Sequence, residues 1–167
     1  MAEITPNERL VPSLLDRLTN DNPTGGIESR HNRVEADVNL REAVLRDLEW
    51  LLNTGNIQGV VDLDTHDEIA KSVINYGLPN LSGKTISTTD LRQVQEQIRR
   101  TISAFEPRIA ANSLKVTLVP GTGGMHSNSA VFQIEATLWG RHMPEALFLR
   151  TEVDLELGEV VLKEGST

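Results

Sequence analysis

The stretch "TISAFEPRIAANSLKV", residues 101–116, changes period in its middle. To its left, Leu91, Val94, Ile98, Ile102 and Phe105 recur at steps of three and four, the spacing of one helix face. To its right, Leu114, Val116 and Leu118 alternate with Lys115, Thr117 and Val119, as in a strand with one buried face. Glu106, Pro107 and Arg108 stand at the change. Proline disfavours helix at the residue before it and has no N–H to donate, so the helix is expected to end near Phe105. In an extended segment, residues two apart share a side. Glu106 and Arg108 are therefore expected to project together from a stiff helix–strand corner.

The same two periods organise the chain on either side. Upstream, "DVNLREAVLRDLEWLLNT" (37–54) carries Val44, Leu45, Leu48, Leu51 and Leu52 at helical spacing, extended by Val38 and Leu40, and Gly55 follows as a stop. Trp50 falls beside that stripe and is expected at the edge of the core. "THDEIAKSVINYG" (65–77) reads as a shorter helix, with Thr65 and Glu68 as a capping box and Ile69, Val73 and Ile74 on the buried side. Downstream, "PGTGGMHSNS" (120–129) reads as a hairpin loop. Phe132, Ile134, Ala136 and Leu138 then alternate with Gln133, Glu135, Thr137 and Trp139. Leu147, Leu149, Thr151, Val153 and Leu155 mark a further strand, with acidic Glu152, Asp154 and Glu156 facing outward, and Gly158 turns the chain into "EVVLK". Helices first and strands second give an α+β fold: N-terminal helices packed on a C-terminal antiparallel sheet of three to four strands.

Ahead of this, "SLLDRLT" (13–19) carries an apolar edge of Leu14, Leu15 and Leu18. Residues 20–36, rich in turn formers and charge, read as a linker. The expected organisation is thus an N-terminal docking segment and linker over 1–36 and a single α+β domain over 37–167.

The chain has 167 residues and a net charge of −8, which argues against a nucleic-acid binder and against docking on an anionic membrane surface. It has no cysteine, so disulfides and thiolate chemistry are excluded and a reducing cytoplasm fits. No apolar run reaches the roughly 20 residues of a membrane helix, and "MAEITPNERLVPS" lacks the pattern of a signal peptide. His31, His66, His126 and His142 form no ligand-spaced pair, so neither metal nor cofactor is expected. Gly121, Gly123 and Gly124 lie between two strands, the wrong context for a phosphate cradle.

Two readings of the corner compete. As an exposed ion pair, Glu106 and Arg108 contribute roughly 0–1 kcal/mol. As a prong that meets a partner's charges, each contributes about 2–5 kcal/mol to binding. A third reading makes Glu106 the general acid of a peptidoglycan hydrolase, paired with Glu135, Glu152 or Asp154. Aromatic residues are 4% of the chain, however, too few for the platforms of a sugar cleft.

The chain resembles the TssE baseplate subunits of bacterial type VI secretion systems. That family is shared with a baseplate wedge protein of contractile phage tails and has carried the label "lysozyme-like". The resemblance rests on "SLLDRL" (13–18), "LRDLEWLLNT" (45–54), "VINYGLPNLSG" (73–83), "IRRTISAFEPRI" (98–109) and "LFLRTEVDLELGEVVL" (147–162). It implies a non-enzymatic wedge component that sits with the TssF and TssG subunits and helps nucleate the contractile sheath. Its place would be the cytoplasm, in a baseplate docked at the inner-membrane complex. Glu106, Pro107 and Arg108 would be the contact motif. Leu14, Leu15, Arg17 and Leu18 would belong to the segment that docks on wedge partners.

Overall fold

In the computed structural model the described residues are 32–63, 65–80, 88–120, 129–139 and 144–165. The expected helical segment at 13–19, with Leu14, Leu15, Arg17 and Leu18, lies outside them, as does most of the expected hairpin loop at 120–129.

Helix α1 spans Asn32–Asn53. It buries Val44, Leu48, Leu51 and Leu52, the stripe expected from the period. Its first turn takes in residues 32–36, which the composition assigned to the linker. Arg33, Glu35 and Ala36 are good helix formers, and their intrinsic preference prevails there. After α1 come a 3-10 turn at Ile57–Gly59, the four-residue helix α2 at Asp67–Ala70 and a 3-10 turn at Val73–Asn75. Helix α3, Thr88–Phe105, buries Val94, Ile98, Thr101 and Ile102.

Four strands follow as a meander in the order β1-β2-β3-β4: Lys115–Leu118, Ser129–Leu138, Glu145–Asp154 and Val160–Glu164. Each pairs antiparallel with the next. The expected α+β class and antiparallel sheet are therefore observed. Phe132, Ile134 and Leu138 of β2 and Leu147, Leu149 and Val153 of β3 are fully buried and join α1 and α3 in one apolar cluster. The opposite face of the sheet carries Lys115, Gln133, Glu135, Arg150 and Lys163, exposed or half-buried.

The expected helix over 65–77 is corrected. Side chains take the carbonyls a continuing helix would use. The Ser72 hydroxyl donates to the Ile69 carbonyl at 2.8 Å and the Asn75 amide donates to the Ala70 carbonyl at 2.9 Å. Thr65 forms no capping box: His66 stands at the N-cap without a side-chain capping bond, and the Thr65 hydroxyl is hydrogen-bonded to His66 Nδ1 at 2.8 Å instead. Ile69, Val73 and Ile74 are exposed rather than buried, Val73 by 83%.

Two local devices tie this region down. Gly77 has φ of 113°, and a Cβ there would lie 2.1 Å from the Thr54 carbonyl oxygen. This close approach lets Leu78 donate to the Thr54 carbonyl at 2.8 Å and Asn56 donate to the Leu78 carbonyl at 2.9 Å. At the end of α1, the Asn53 side chain donates to the Val160 carbonyl at 2.8 Å and accepts from the Val160 N–H at 2.9 Å. A side-chain amide thereby takes the place of a neighbouring strand at the start of edge strand β4.

Candidate functional site

The corner after α3 is a turn and not an extended segment. Glu106 still donates to the Ile102 carbonyl at 2.9 Å, and Ile109 donates back to the Glu106 carbonyl at 3.2 Å. Pro107 occupies the second position of that four-residue turn, where its fixed φ suits the backbone. It is exposed. The chain then joins the end of β2. Ile109 bridges Leu138, Trp139 donates to the Arg108 carbonyl at 2.6 Å, and Ala110 donates to the Thr137 carbonyl at 3.0 Å. From Ile109 to Lys115 the chain spends six steps where β2, from Leu138 to Glu135, spends three. Ser113 patches the excursion by accepting the Thr137 N–H at 2.8 Å.

The side chains come together as expected, but not at the surface. Glu106 is only 4% exposed, so neither an exposed pair nor a protruding prong describes it. Arg108 Nε donates to Glu106 Oε1 at 2.7 Å and Nη2 to Oε2 at 2.6 Å, a bidentate fork. The Arg108 N–H adds a third bond to Oε1 at 3.0 Å. The same Nη2 donates to Asp47 Oδ2 of α1 at 2.6 Å. Asp47 Oδ1 accepts from Arg46 Nε at 3.1 Å and Nη2 at 2.8 Å. The Arg46 guanidinium lies 5.2 Å from the Trp50 ring centroid. Charges of alternating sign thus run from Glu106 through Arg108 and Asp47 to Arg46, and end on an aromatic face.

Burial works against the Arg108 cation, yet the hydrogen bonds and charge of Glu106, then of Asp47, outweigh it and raise its pKa. Tyr76 borders the cluster and meets Phe105 edge-on, with ring centroids 5.4 Å apart. Burial, then the negative charges of Asp47 and Glu106, raises its phenol above the ordinary value.

Sequence reasoning found Glu106, Pro107 and Arg108 but missed Asp47, Arg46 and Tyr76. Arg46 and Asp47 read as the solvent side of α1. Trp50 is 51% exposed beneath Arg46, outside the core edge where it was expected. Nothing local links positions 47 and 108. Asp154, expected to face outward, is occupied in its own turn: Oδ1 accepts the N–H groups of Glu156 at 2.8 Å and Leu157 at 3.0 Å.

The hydrolase alternative finds no support in this geometry. A general acid must be protonated and reach its substrate. Glu106 is buried, with both carboxylate oxygens on Arg108. Glu135 is paired with Lys115 and Gln133, and Glu152 with Lys163. No helix among the described residues is long and apolar enough to cross a membrane.

Comparison with known families gives the class directly: the family of baseplate wedge protein gp25 matches residues 38–143. The chain belongs to that family, whose members are generally structural parts of the baseplates of contractile tails. No curated protein and no solved structure matches the chain.

Proposed function

We propose that the chain is the wedge subunit of a bacterial type VI secretion baseplate, held in the cytoplasm at the inner-membrane complex. In this reading it contacts TssF and TssG and helps nucleate the contractile sheath. The observation that carries the reading is the match to the wedge family over 38–143, which contains the Glu106–Pro107–Arg108 corner. Pro107 and the exposed edge of Arg108 form the contact, and the buried carboxylate of Glu106 holds them rigid. Pre-organisation of this kind lowers the entropic cost of docking.

Two further features support it. Leu14, Leu15 and Leu18 compose an apolar edge, with the charge of Arg17 beside it, ahead of a polar tether, suited to docking on a wedge partner. The alternation of the β3–β4 ladder directs the main-chain groups of Val160, Leu162 and Glu164 away from β3. Asn53 closes the edge at Val160, so Leu162 and Glu164 remain to pair with a strand of the sheath.

The test is reconstitution with TssF and TssG. Pro107→Asp changes an exposed turn residue and should keep the melting temperature within a few degrees, yet weaken capture of the wedge subunits and lower sheath filament counts in cells. Capture equal to wild type would remove the corner from the interface. Failure of the unaltered chain to bind either subunit would remove the function itself.

A further inference from the structure

The open face of the sheet carries an electrostatic arrangement that works against folding. The register places Thr117, Gln133, Arg150 and Lys163 in one row across all four strands. Arg150 and Lys163 are directly opposite each other and both exposed. Like charges facing each other across a ladder destabilise a sheet. The carboxylates on either side are already engaged. Glu135 accepts from the Gln133 amide at 3.0 Å and pairs with Lys115 at 3.9 Å, while Glu152 pairs with Lys163 at 3.7 Å. Among the described residues no hydrogen bond or ion pair reaches the Arg150 guanidinium. In a chain of net charge −8, a cation set against another cation with a surplus of carboxylates elsewhere is an unspent binding group.

We infer that the outer face of the sheet, centred on Arg150 and Lys163, docks an acidic segment of a partner protein. A carboxylate laid over this row would accept a bidentate pair from Arg150 and cancel the repulsion with Lys163 in the same step. Half-buried Phe148 precedes Arg150 on the same face of β3, and exposed Val161 precedes Lys163 on β4. They flank the row on opposite sides, and an apolar side chain on each side of the carboxylate would cover them. The occupant is therefore an extended segment with an apolar residue two places before and two places after an Asp or Glu, so that all three face the sheet. This surface is separate from the corner and uses the outer face of β4 rather than the main-chain edge at Leu162 and Glu164, and it rests on the wedge-subunit reading for the identity of its partner.

The experiment compares capture of co-expressed wedge subunits by wild type, Arg150→Glu, Arg150→Gln and Arg92→Glu, with melting temperatures for each. Arg92, on the outer side of α3, is the control for a general change of charge. Both Arg150 variants should capture at least about tenfold more weakly. Arg150→Glu should melt about 1–3 °C higher than wild type, because it turns the opposed cations into an ion pair. Arg92→Glu should behave as wild type. Capture of Arg150→Glu at the wild-type level would overturn the docking site and leave the wedge reading intact. Melting of Arg150→Glu several degrees below wild type would overturn the repulsion on which it is built. Failure of wild type to capture any wedge subunit would overturn both readings.

Discussion

Arg108 and Asp47 are 61 residues apart in the chain and 2.6 Å apart in space, and their contact fastens the corner after α3 to the outer side of α1. Glu106 lies beneath them, buried, with no cation but Arg108 on its oxygens among the described residues.

The two ends of this clasp are expected to differ in cost. Arg108→Ala leaves a buried carboxylate without its counter-ion and should lower stability by about 3–5 kcal/mol. Glu106→Ala leaves Arg108 partly exposed and still bonded to Asp47, and should cost about 1–3 kcal/mol. Urea unfolding of the two variants decides the order. An equal or reversed order would mean that the Glu106 carboxylate is not the group at risk. Cellular assembly assays on either variant need protein levels beside them, since lost stability alone lowers abundance.

Two glycines provide a matched pair. Gly77→Ala puts a Cβ against the Thr54 carbonyl at a left-handed φ, and should cost at least about 2–3 kcal/mol. Gly55→Ala meets no atom within 4 Å and should stay within about 0.5 kcal/mol of wild type. Thermal melts of both would show whether the close approach at Gly77 is as tight as the geometry states.

Asn53→Ala should cost about 1–2 kcal/mol by stripping the Val160 N–H and carbonyl of their partner. Amide exchange at Val160 should speed up more than at residues of β2. Unchanged protection at Val160 would show that the side-chain amide is not what guards this edge.

Glu96 accepts from Arg99 at 2.7 and 2.8 Å and from Arg100 at 2.8 Å, and these bonds hold its carboxyl down to about 2. Its folded pKa lies below the unfolded value of 4.5. The stabilisation is therefore complete above about 4.5 and is lost as the pH falls toward 2. The side chain is 42% exposed, so solvent screens the trio and the gain is small. Carboxyl titration by NMR should place Glu96 near the bottom of the carboxylates, and Arg99→Gln should raise it. A midpoint near 4.5 in wild type would dissolve the trio.

The elements legible from sequence were those whose pattern and burial agree. The apolar steps from Leu91 to Phe105 became α3, and the alternations of β2 and β3 became the buried face of the sheet. The steps Ile69, Val73 and Ile74 were of the same kind, but Ser72 and Asn75 claimed the carbonyls that a helix needed. Periodicity reports which residues could share a face; it does not report who wins a hydrogen bond. The corner was legible because Pro107 forces a break. Its partner Asp47 was not, because a carboxylate on the solvent side of a helix looks the same whether water or a distant guanidinium faces it.

The fastening of α1 also fixes an order in time. Its anchors on β4 are Val160, held by Asn53 from 107 residues upstream, and Glu164, held by Arg41 from 123 residues upstream. A ribosome completes this helix long before it supplies either anchor. The meander, made of neighbouring strands, can close as it emerges, while contacts of such long sequence separation form late. The seam between α1 and β4 is thus the last that synthesis can close, whereas the bond from Leu78 to Thr54 and the clasp of Arg108 on Asp47 have both partners available earlier.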